Sequence, residues 1–189
     1  MSKVEEPKKT IEIENVVAST AIGQELDLEQ VTLDMEGADY DPDQFPGLVY
    51  RTQEPKTAAL IFRSGKIVCT GAKSPKDVDK GLKIVFDKLR DLGIEVDDDP
   101  DIKVQNIVAS ADIGHDLNLN AIAIGLGLEN IEYEPEQFPG LVYRLESPEV
   151  VVLLFGSGKL VVTGGEKPDD ADKAVETIIN QLEELDLLD

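Results

Sequence analysis

Gln44-Phe-Pro-Gly-Leu-Val-Tyr-Arg51 occurs a second time, unchanged over eight residues, as Gln137-Phe-Pro-Gly-Leu-Val-Tyr-Arg144. Outward from this pair the chain repeats nearly all of itself. On the C-terminal side, Phe62-Arg-Ser-Gly-Lys-Ile-Val-Cys-Thr-Gly71 matches Phe155-Gly-Ser-Gly-Lys-Leu-Val-Val-Thr-Gly164 at the same displacement of 93 residues. On the N-terminal side, Asn15-Val-Val-Ala-Ser19 returns as Asn106-Ile-Val-Ala-Ser110, and Ile22-Gly23 with Leu26 and Leu28 returns as Ile113-Gly114 with Leu117 and Leu119, displaced by 91. The two-residue insertion lies between Leu119 and Tyr133, opposite Leu28 to Tyr40. Asp97-Asp-Asp-Pro-Asp101 is an acidic junction broken by proline. Two copies of about 90 residues are too few and too long for a solenoid, so they read as a pseudo-twofold pair sharing one structure. The expected organisation is a flexible arm over 1–9, a first repeat over 10–98 and a second over 99–189.

Within each copy the periods are legible. Ile11 to Ser19 is β-branched and aliphatic, as a strand should be. A short helix is expected around Leu26 to Met35. Leu48 to Arg51, Thr57 to Phe62 and Lys66 to Thr70, parted by Glu54-Pro55-Lys56 and Arg63-Ser64-Gly65, read as an antiparallel meander with tight turns. Each copy closes with a long helix. Ser74 is a good N-cap, Pro75 suits the first helical position, and Val78, Leu82, Val85, Phe86 and Leu89 form one apolar stripe. In the second copy Pro168 stands in the same place, followed by Ala171, Val175, Ile178, Leu182 and Leu185.

Composition bounds the function. The 189 residues include 39 Asp and Glu against 18 Lys and Arg, a formal charge of −21, with 41% hydrophobic residues, which is enough for a packed core and excludes bulk disorder. No apolar run reaches the roughly 20 residues of a membrane span, and Met1 to Lys9 lacks a signal peptide's apolar segment, so a soluble intracellular protein is expected. One cysteine, Cys69, cannot form an internal disulfide, and one histidine, His115, cannot anchor a zinc cluster. Both are expected to be structural. Ser-Gly-Lys is not a phosphate loop without the preceding glycine spacing, and Gly125-Leu-Gly127 is not a dinucleotide fingerprint. No nucleophilic or acid/base constellation is present, so no enzyme activity, metal or cofactor is expected. Taken as a single number, the charge argues against a nucleic-acid partner, because phosphate would be repelled.

The strand faces say otherwise. In Thr57 to Phe62, alternation puts Ala58, Leu60 and Phe62 on one side and Ala59 and Ile61 on the other; Val151, Leu153 and Phe155 oppose Val152 and Leu154 in the second copy. Both faces are apolar. Two helices per copy cover one face of a shared antiparallel sheet, and nothing remains for the second, which is then a binding surface. The alternative is that strands of the two copies pack face to face as a sandwich.

Two copies carrying Asn-[Val/Ile]-Val-Ala-Ser, Tyr-x-Pro-x-x-Phe-Pro-Gly-Leu-Val-Tyr-Arg, Phe-x-Ser-Gly-Lys-[Ile/Leu]-Val-x-Thr-Gly and a closing helix closely resemble the core of the TATA-box-binding protein family, from about Thr10 to near the C-terminus. The resemblance implies an α+β saddle: one curved antiparallel sheet from two pseudo-twofold repeats, its concave side on DNA, with helices on the convex side. It also implies minor-groove binding with apolar wedges that kink the duplex, for which this family is itself the worked case.

Carried over residue by residue, the intercalating wedges are Phe45 and Phe62 in the first copy and Phe138 and Phe155 in the second. Phe86, the fifth phenylalanine, lies on a helix stripe and is expected in the core. Asn15 and Asn106 match the asparagines at the saddle centre, where an amide can donate to adenine N3 and thymine O2. Val17, Val68 and Thr70, with Val108, Val161 and Thr163, match the rest of the minor-groove floor, which leaves no partner for the guanine amine. Phosphate contacts fall to Arg51, Arg63, Ser64 and Lys66, and to Arg144, Ser157 and Lys159. Gly156 stands where the first copy has Arg63, so the second copy offers fewer cations. The family's docking point for transcription factor B matches Glu134, Glu136 and Gln137, although the family more often has an apolar residue at the position of Gln137.

Residues 10–99 hold 19 acids and 10 bases, residues 100–189 hold 18 and 5, and much of the acid lies where helices and connections are expected, away from the concave-face motifs. Such a surface on a DNA-binding fold suggests a halophilic host, where the Debye length is about 3 Å at 1 M salt and the repulsion is screened. The short arm favours an archaeal protein, in the cytoplasm at the nucleoid. The expected function is a general transcription initiation factor that binds and bends A·T-rich promoter DNA through the minor groove. It would recruit transcription factor B and, through it, RNA polymerase. The alternative is an acidic interaction module that uses the same face on a polypeptide regulator. A homodimer of the free protein through the exposed face stays open.

Overall fold

In the computed structural model, residues 10–127 and 129–188 are described, and the expected arm over 1–9 lies outside the described residues. The first copy runs β1 (Thr10–Ala21), α1 (Leu28–Asp34), β2 (Leu48–Gln53), β3 (Lys56–Ile61), β4 (Lys66–Ala72) and α2 (Pro75–Asp91). The second runs β5 (Lys103–Asp112), α3 (Leu119–Leu126), β6 (Ile131–Glu132), β7 (Leu141–Glu146), β8 (Glu149–Leu154), β9 (Lys159–Gly165) and α4 (Pro168–Glu184). The expected order of strand, helix, strands and helix is present twice. The short β6 is an addition in the second copy, at a point where the first has only the bridge from Asp39 to Val49. The fold is α+β, with antiparallel strands and the helices set apart from them.

The described residues divide into two compact units, one of Glu14–Asn106 and one of residues 107–188 together with residues 10–13. In the first unit the strands lie in the order β2-β3-β4-β1, and in the second β5-β9-β8-β7-β6. Register follows the apolar alternation. Leu48 pairs with Ile61 and Ile61 with Ile67, so one face of the first unit is a row of fully buried aliphatics; Leu141, Leu154 and Leu160 repeat it in the second.

The long helices close these faces. At α2 the Ser74 hydroxyl accepts from the Asp77 N–H at 3.1 Å, Pro75 takes the first turn, and Val78, Leu82, Val85, Phe86 and Leu89 are buried. At α4 the cap position is Lys167, and the Asp170 carboxylate does the capping, accepting from the N–H groups of Glu166 and Lys167 at 3.1 Å each. Ala171, Ala174, Val175, Ile178 and Leu182 form its buried stripe. Leu185, expected to continue that stripe, is 38% exposed. The helix ends at Glu184, Leu185 takes φ −86° and ψ 0° at its cap, and the Leu185 side chain lies against Gly125 of α3.

One core cluster of three positions differs in kind between the copies. Beneath α2 the hydroxyls of Thr52 and Thr57 lie 2.6 Å apart, beside the buried Cys69. Leu145, Val150 and Val162 hold the equivalent places in the second unit, all buried. Burial pushes the Cys69 thiol up to about 11, with a hydrogen bond to Thr57 acting in the opposite direction. Cys69 is thus an inert core residue, as expected.

Candidate nucleic-acid interface

The face of each sheet turned away from the long helix is built from cross-strand rows. In the first unit Val49 pairs with Leu60, Leu60 with Val68 and Val68 with Ser19, while Arg51 pairs with Ala58 and Ala58 with Thr70. The second unit has Val142, Leu153, Val161 and Ser110 in one row, and Arg144, Val151 and Thr163 in the other. Apart from the exposed arginines these side chains are half-buried, as are Val17 and Val108. None of these residues is acidic, and at the far end of the rows Gln53 faces Lys56 in the first unit whereas Glu146 faces Glu149 in the second.

Val49, Leu60, Val142 and Leu153 belong to the open face although the residue-by-residue carry-over does not include them. The signal was present, since Leu60 and Leu153 stand two residues before Phe62 and Phe155 and so share their face.

At the border of each face stands an aromatic pair. Phe45 and Phe62 pack edge to face with centroids 5.9 Å apart and planes at 68°; Phe138 and Phe155 do the same at 5.9 Å and 73°. Phe45 is 38% exposed and Phe138 39%, so the outer ring of each pair is offered to solvent. A glycine makes room for each pair. A Cβ at Gly47 would lie 2.8 Å from a Phe45 ring carbon and 3.1 Å from one of Phe62, and at Gly140 the distances to Phe138 and Phe155 are 2.8 and 2.9 Å. Pro-Gly beside these phenylalanines is therefore a packing requirement as well as a turn.

Asn15 is half-buried on β1. Its Oδ1 accepts from the Gly71 N–H at 2.7 Å, and its Nδ2 donates to Thr70 Oγ1 at 3.2 Å. Asn106 occupies the equivalent place on β5, also half-buried. The candidate phosphate ligands Arg63, Ser64 and Lys66 lie at the β3–β4 turn, which is pinned to the loop after β1. Leu26 N–H donates to Arg63 O at 2.8 Å, and Ile22 N–H donates to Gly65 O at 3.1 Å. Gly65, at φ +89°, lies so close to the Gln24 carbonyl that a Cβ there would collide with it. Ser157 and Lys159 sit on the matching turn, fixed by Leu117 N–H to Gly156 O at 2.8 Å, and the His115 carbonyl lies against Gly158 as Gln24 does against Gly65.

Charge is uneven between the units. Arg51, Arg63, Lys66, Arg144 and Lys159 are all exposed. Arg144 has a long ion pair with Glu132, 3.8 Å between exposed groups, of the kind that contributes little. Arg63 shares a surface hollow with Glu25, Asp27 and Glu29. Glu134, Glu136 and Gln137 form an exposed turn in which the N–H groups of Gln137 and Phe138 both donate to Glu134 O at 2.9 Å, so the turn is held next to the second aromatic pair.

Comparison with known proteins bears on this arrangement. The family model described as Transcription factor TFIID (or TATA-binding protein, TBP) matches residues 10–92 and again 101–185. The TATA-box-binding protein of Natronomonas pharaonis is 77% identical over 186 residues, covering 98% of this chain and 100% of that protein. That of Haloarcula marismortui is 77% identical over 184 residues, covering 97% and 99%. Both relatives come from halophilic archaea. The TATA-box-binding protein of Archaeoglobus fulgidus is 65% identical over 178 residues, covering 94% and 97%. The solved structure of Methanococcus jannaschii TBP superposes with a TM-score of 0.80 at 53% identity, covering 92% of this chain and 98% of that one. With the family model matched by each repeat and relatives alike over nearly their whole length, the chain belongs to the TATA-box-binding protein family of transcription factors.

Proposed function

We propose that this chain is a general transcription initiation factor that binds A·T-rich promoter DNA through the minor groove and bends it. On this reading it recruits transcription factor B and, through it, RNA polymerase, and it catalyses no reaction. The observation that carries this reading is the open face of each unit: acid-free rows of half-buried aliphatics bordered by an edge-to-face phenylalanine pair. Each repeat, over 10–98 and 99–189, supplies one such face.

The chemistry follows from the residue types. Small aliphatics such as Val17, Val68, Val108 and Val161 fit the floor of an A·T minor groove and give the guanine N2 amine no acceptor. Thr70 and Thr163 add hydroxyls beside Asn15 and Asn106, whose amides reach adenine N3 or thymine O2. Phe45 with Phe62, and Phe138 with Phe155, enter opened base steps. Unstacking costs a few kcal/mol per step and is offset by the larger contact that bent DNA permits. Arg51, Arg63, Ser64 and Lys66, and Arg144, Ser157 and Lys159, hold phosphates and set position without reading sequence. The acidic turn of Glu134, Glu136 and Gln137 is the docking point for transcription factor B. The protein acts in the cytoplasm, at the nucleoid of an archaeal cell.

A gel shift in molar KCl with a TATA duplex and a G·C-substituted duplex tests this. Binding to the first and not the second is expected. Equal or absent binding to both would instead favour an acidic module that uses the same face on a polypeptide regulator.

A further inference from the structure

The open faces carry a device that the binding reading leaves unused. Between β1 and β4 the pairing runs Val16 with Ala72 and then Ala18 with Cys69, so Thr70 and Gly71 together oppose Val17 alone. This is a β-bulge, and Gly71 in it has φ +85°. Its N–H donates to Asn15 Oδ1 at 2.7 Å. The second unit repeats the slip, Ile107 with Gly165 and then Ala109 with Val162, and Gly164 has φ +96°.

We propose that the Gly71 N–H locks the Asn15 carboxamide in one of its two orientations, that Gly164 does the same for Asn106, and that these glycines thereby make each of the two amides recognise only hydrogen-bond acceptors on a ligand. The inference rests on the DNA-binding reading above and adds the residues that determine its specificity. The orientation is dictated by chemistry: a backbone N–H can face only the carbonyl oxygen of an amide, so Nδ2 must lie on the other side. There one Nδ2 proton goes to Thr70 Oγ1 at 3.2 Å and the second remains for a ligand. An amide that offers N–H meets adenine N3 or thymine O2 favourably and meets the guanine N2 amine donor against donor. A flipped amide would offer Oδ1 and accept from that amine. Flipping would set the Gly71 N–H against the NH2 group, and an unpaired donor of this kind disfavours the flipped form by roughly tenfold or more.

Glycine is required here for conformation and not for space. A Cβ on Gly71 would come no nearer than 3.8 Å to its surroundings, at Thr57 Cα, but an L side chain is strained at φ +85°. Gly71→Ala and Gly164→Ala should therefore be accommodated sterically while turning the N–H groups away from the amides.

Two measurements test the lock. The first needs neither DNA nor substitution: amide hydrogen exchange of the free chain by NMR in high salt. Gly71 is exposed, so slow exchange there must come from its hydrogen bond. At least about tenfold protection is expected, and exchange at the rate of an unstructured glycine would overturn the lock. The second compares duplexes with A·T, inosine·cytosine or guanine·cytosine at the contacted step, since inosine·cytosine has the minor-groove acceptors of A·T without the amine. The unaltered chain should bind the first two alike and reject the third. In the doubly substituted Gly71→Ala, Gly164→Ala chain the penalty for guanine should shrink by about tenfold at unchanged helix content. A penalty that stays the same would overturn the assignment of specificity to these glycines. Failure of the unaltered chain to bind even A·T would overturn the DNA-binding reading, and the exchange measurement would still decide the lock.

Discussion

Phe138 and Phe155 meet at 5.9 Å only because position 140 has no Cβ, and that dependence makes the wedge testable in two ways. Replacing both phenylalanines with Ala should reduce DNA bending, read by energy transfer between duplex ends, more than it reduces the association rate. Gly140→Ala should imitate it, because the new methyl would stand 2.8 and 2.9 Å from the two rings and must displace one of them. Unchanged bending in both variants would refute the wedge assignment. Cys69 gives a second residue-scale prediction. Its thiol is raised from an ordinary 9.0 to about 11 by burial, so the folded state favours the protonated form. Its contribution is complete below pH 9 and is lost as pH rises through 9 to 11, where only the unfolded chain has released the proton. Urea unfolding of the unaltered chain and of Cys69→Val, which copies Val162, should diverge only across that window. Parallel curves would exclude the linkage. The pairing of phenylalanines between repeats was legible in the sequence. The glycine contacts were not, because they depend on rings brought together from a loop and a strand end.

The helices were the easiest elements to read and show where reading stops. Ser74, Pro75 and the stripe from Val78 to Leu89 satisfy capping, first-turn geometry and burial together, and α2 forms as expected. Ser74→Ala should cost about 1 kcal/mol, seen as a fall of about 2–4 °C in thermal midpoint. Lys167→Ala at the cap of α4 should have no comparable effect, because the chain entry there is held by the Asp170 carboxylate. Equal losses at the two sites would contradict that division. Leu185 follows the apolar spacing of α4, yet the helix stops one residue before it. The end of a helix is set by cap geometry and neighbours such as Gly125, which periodicity does not encode. The strand rows were legible as alternation, but the bulges at Gly71 and Gly164 were not, since one extra residue in a ladder is visible only against its partner strand.

For the whole molecule the charge of −21 governs how binding responds to solvent. With five candidate cations facing phosphate and many carboxylates elsewhere, affinity should rest on apolar contact and on cations taken up between carboxylate and phosphate. It should hold or rise as KCl increases to molar concentration, where ordinary counterion release would lower it by about 0.9 log units per neutralised phosphate per log unit of salt. A steep loss of TATA-duplex binding over that range would sink this account. Its strongest local contribution should come from Glu146 and Glu149, which face each other at the end of the second open face where the first has Gln53 and Lys56. A Glu146→Gln, Glu149→Lys chain, which copies the first repeat, should bind at lower salt than the unaltered one. An identical salt profile would show that these two carboxylates take no part.

The sequence by itself determined the duplication, the α+β elements, the long-helix stripes and the resemblance carried by the Asn, Phe-Pro-Gly and Ser-Gly-Lys motifs. All of these are written in local spacing, which fixes strand alternation and helix period without reference to distant residues. Only the tertiary structure decided which apolar face stays open, how each phenylalanine finds its partner, and which way the Asn15 amide points. Those features depend on contacts between residues that are not neighbours in the chain: residue 15 against residues 70 and 71 across a ladder, and the loop residue 45 against residue 62 at a strand end. A hydrogen bond or ring contact at such separation exists only once the ladder has closed.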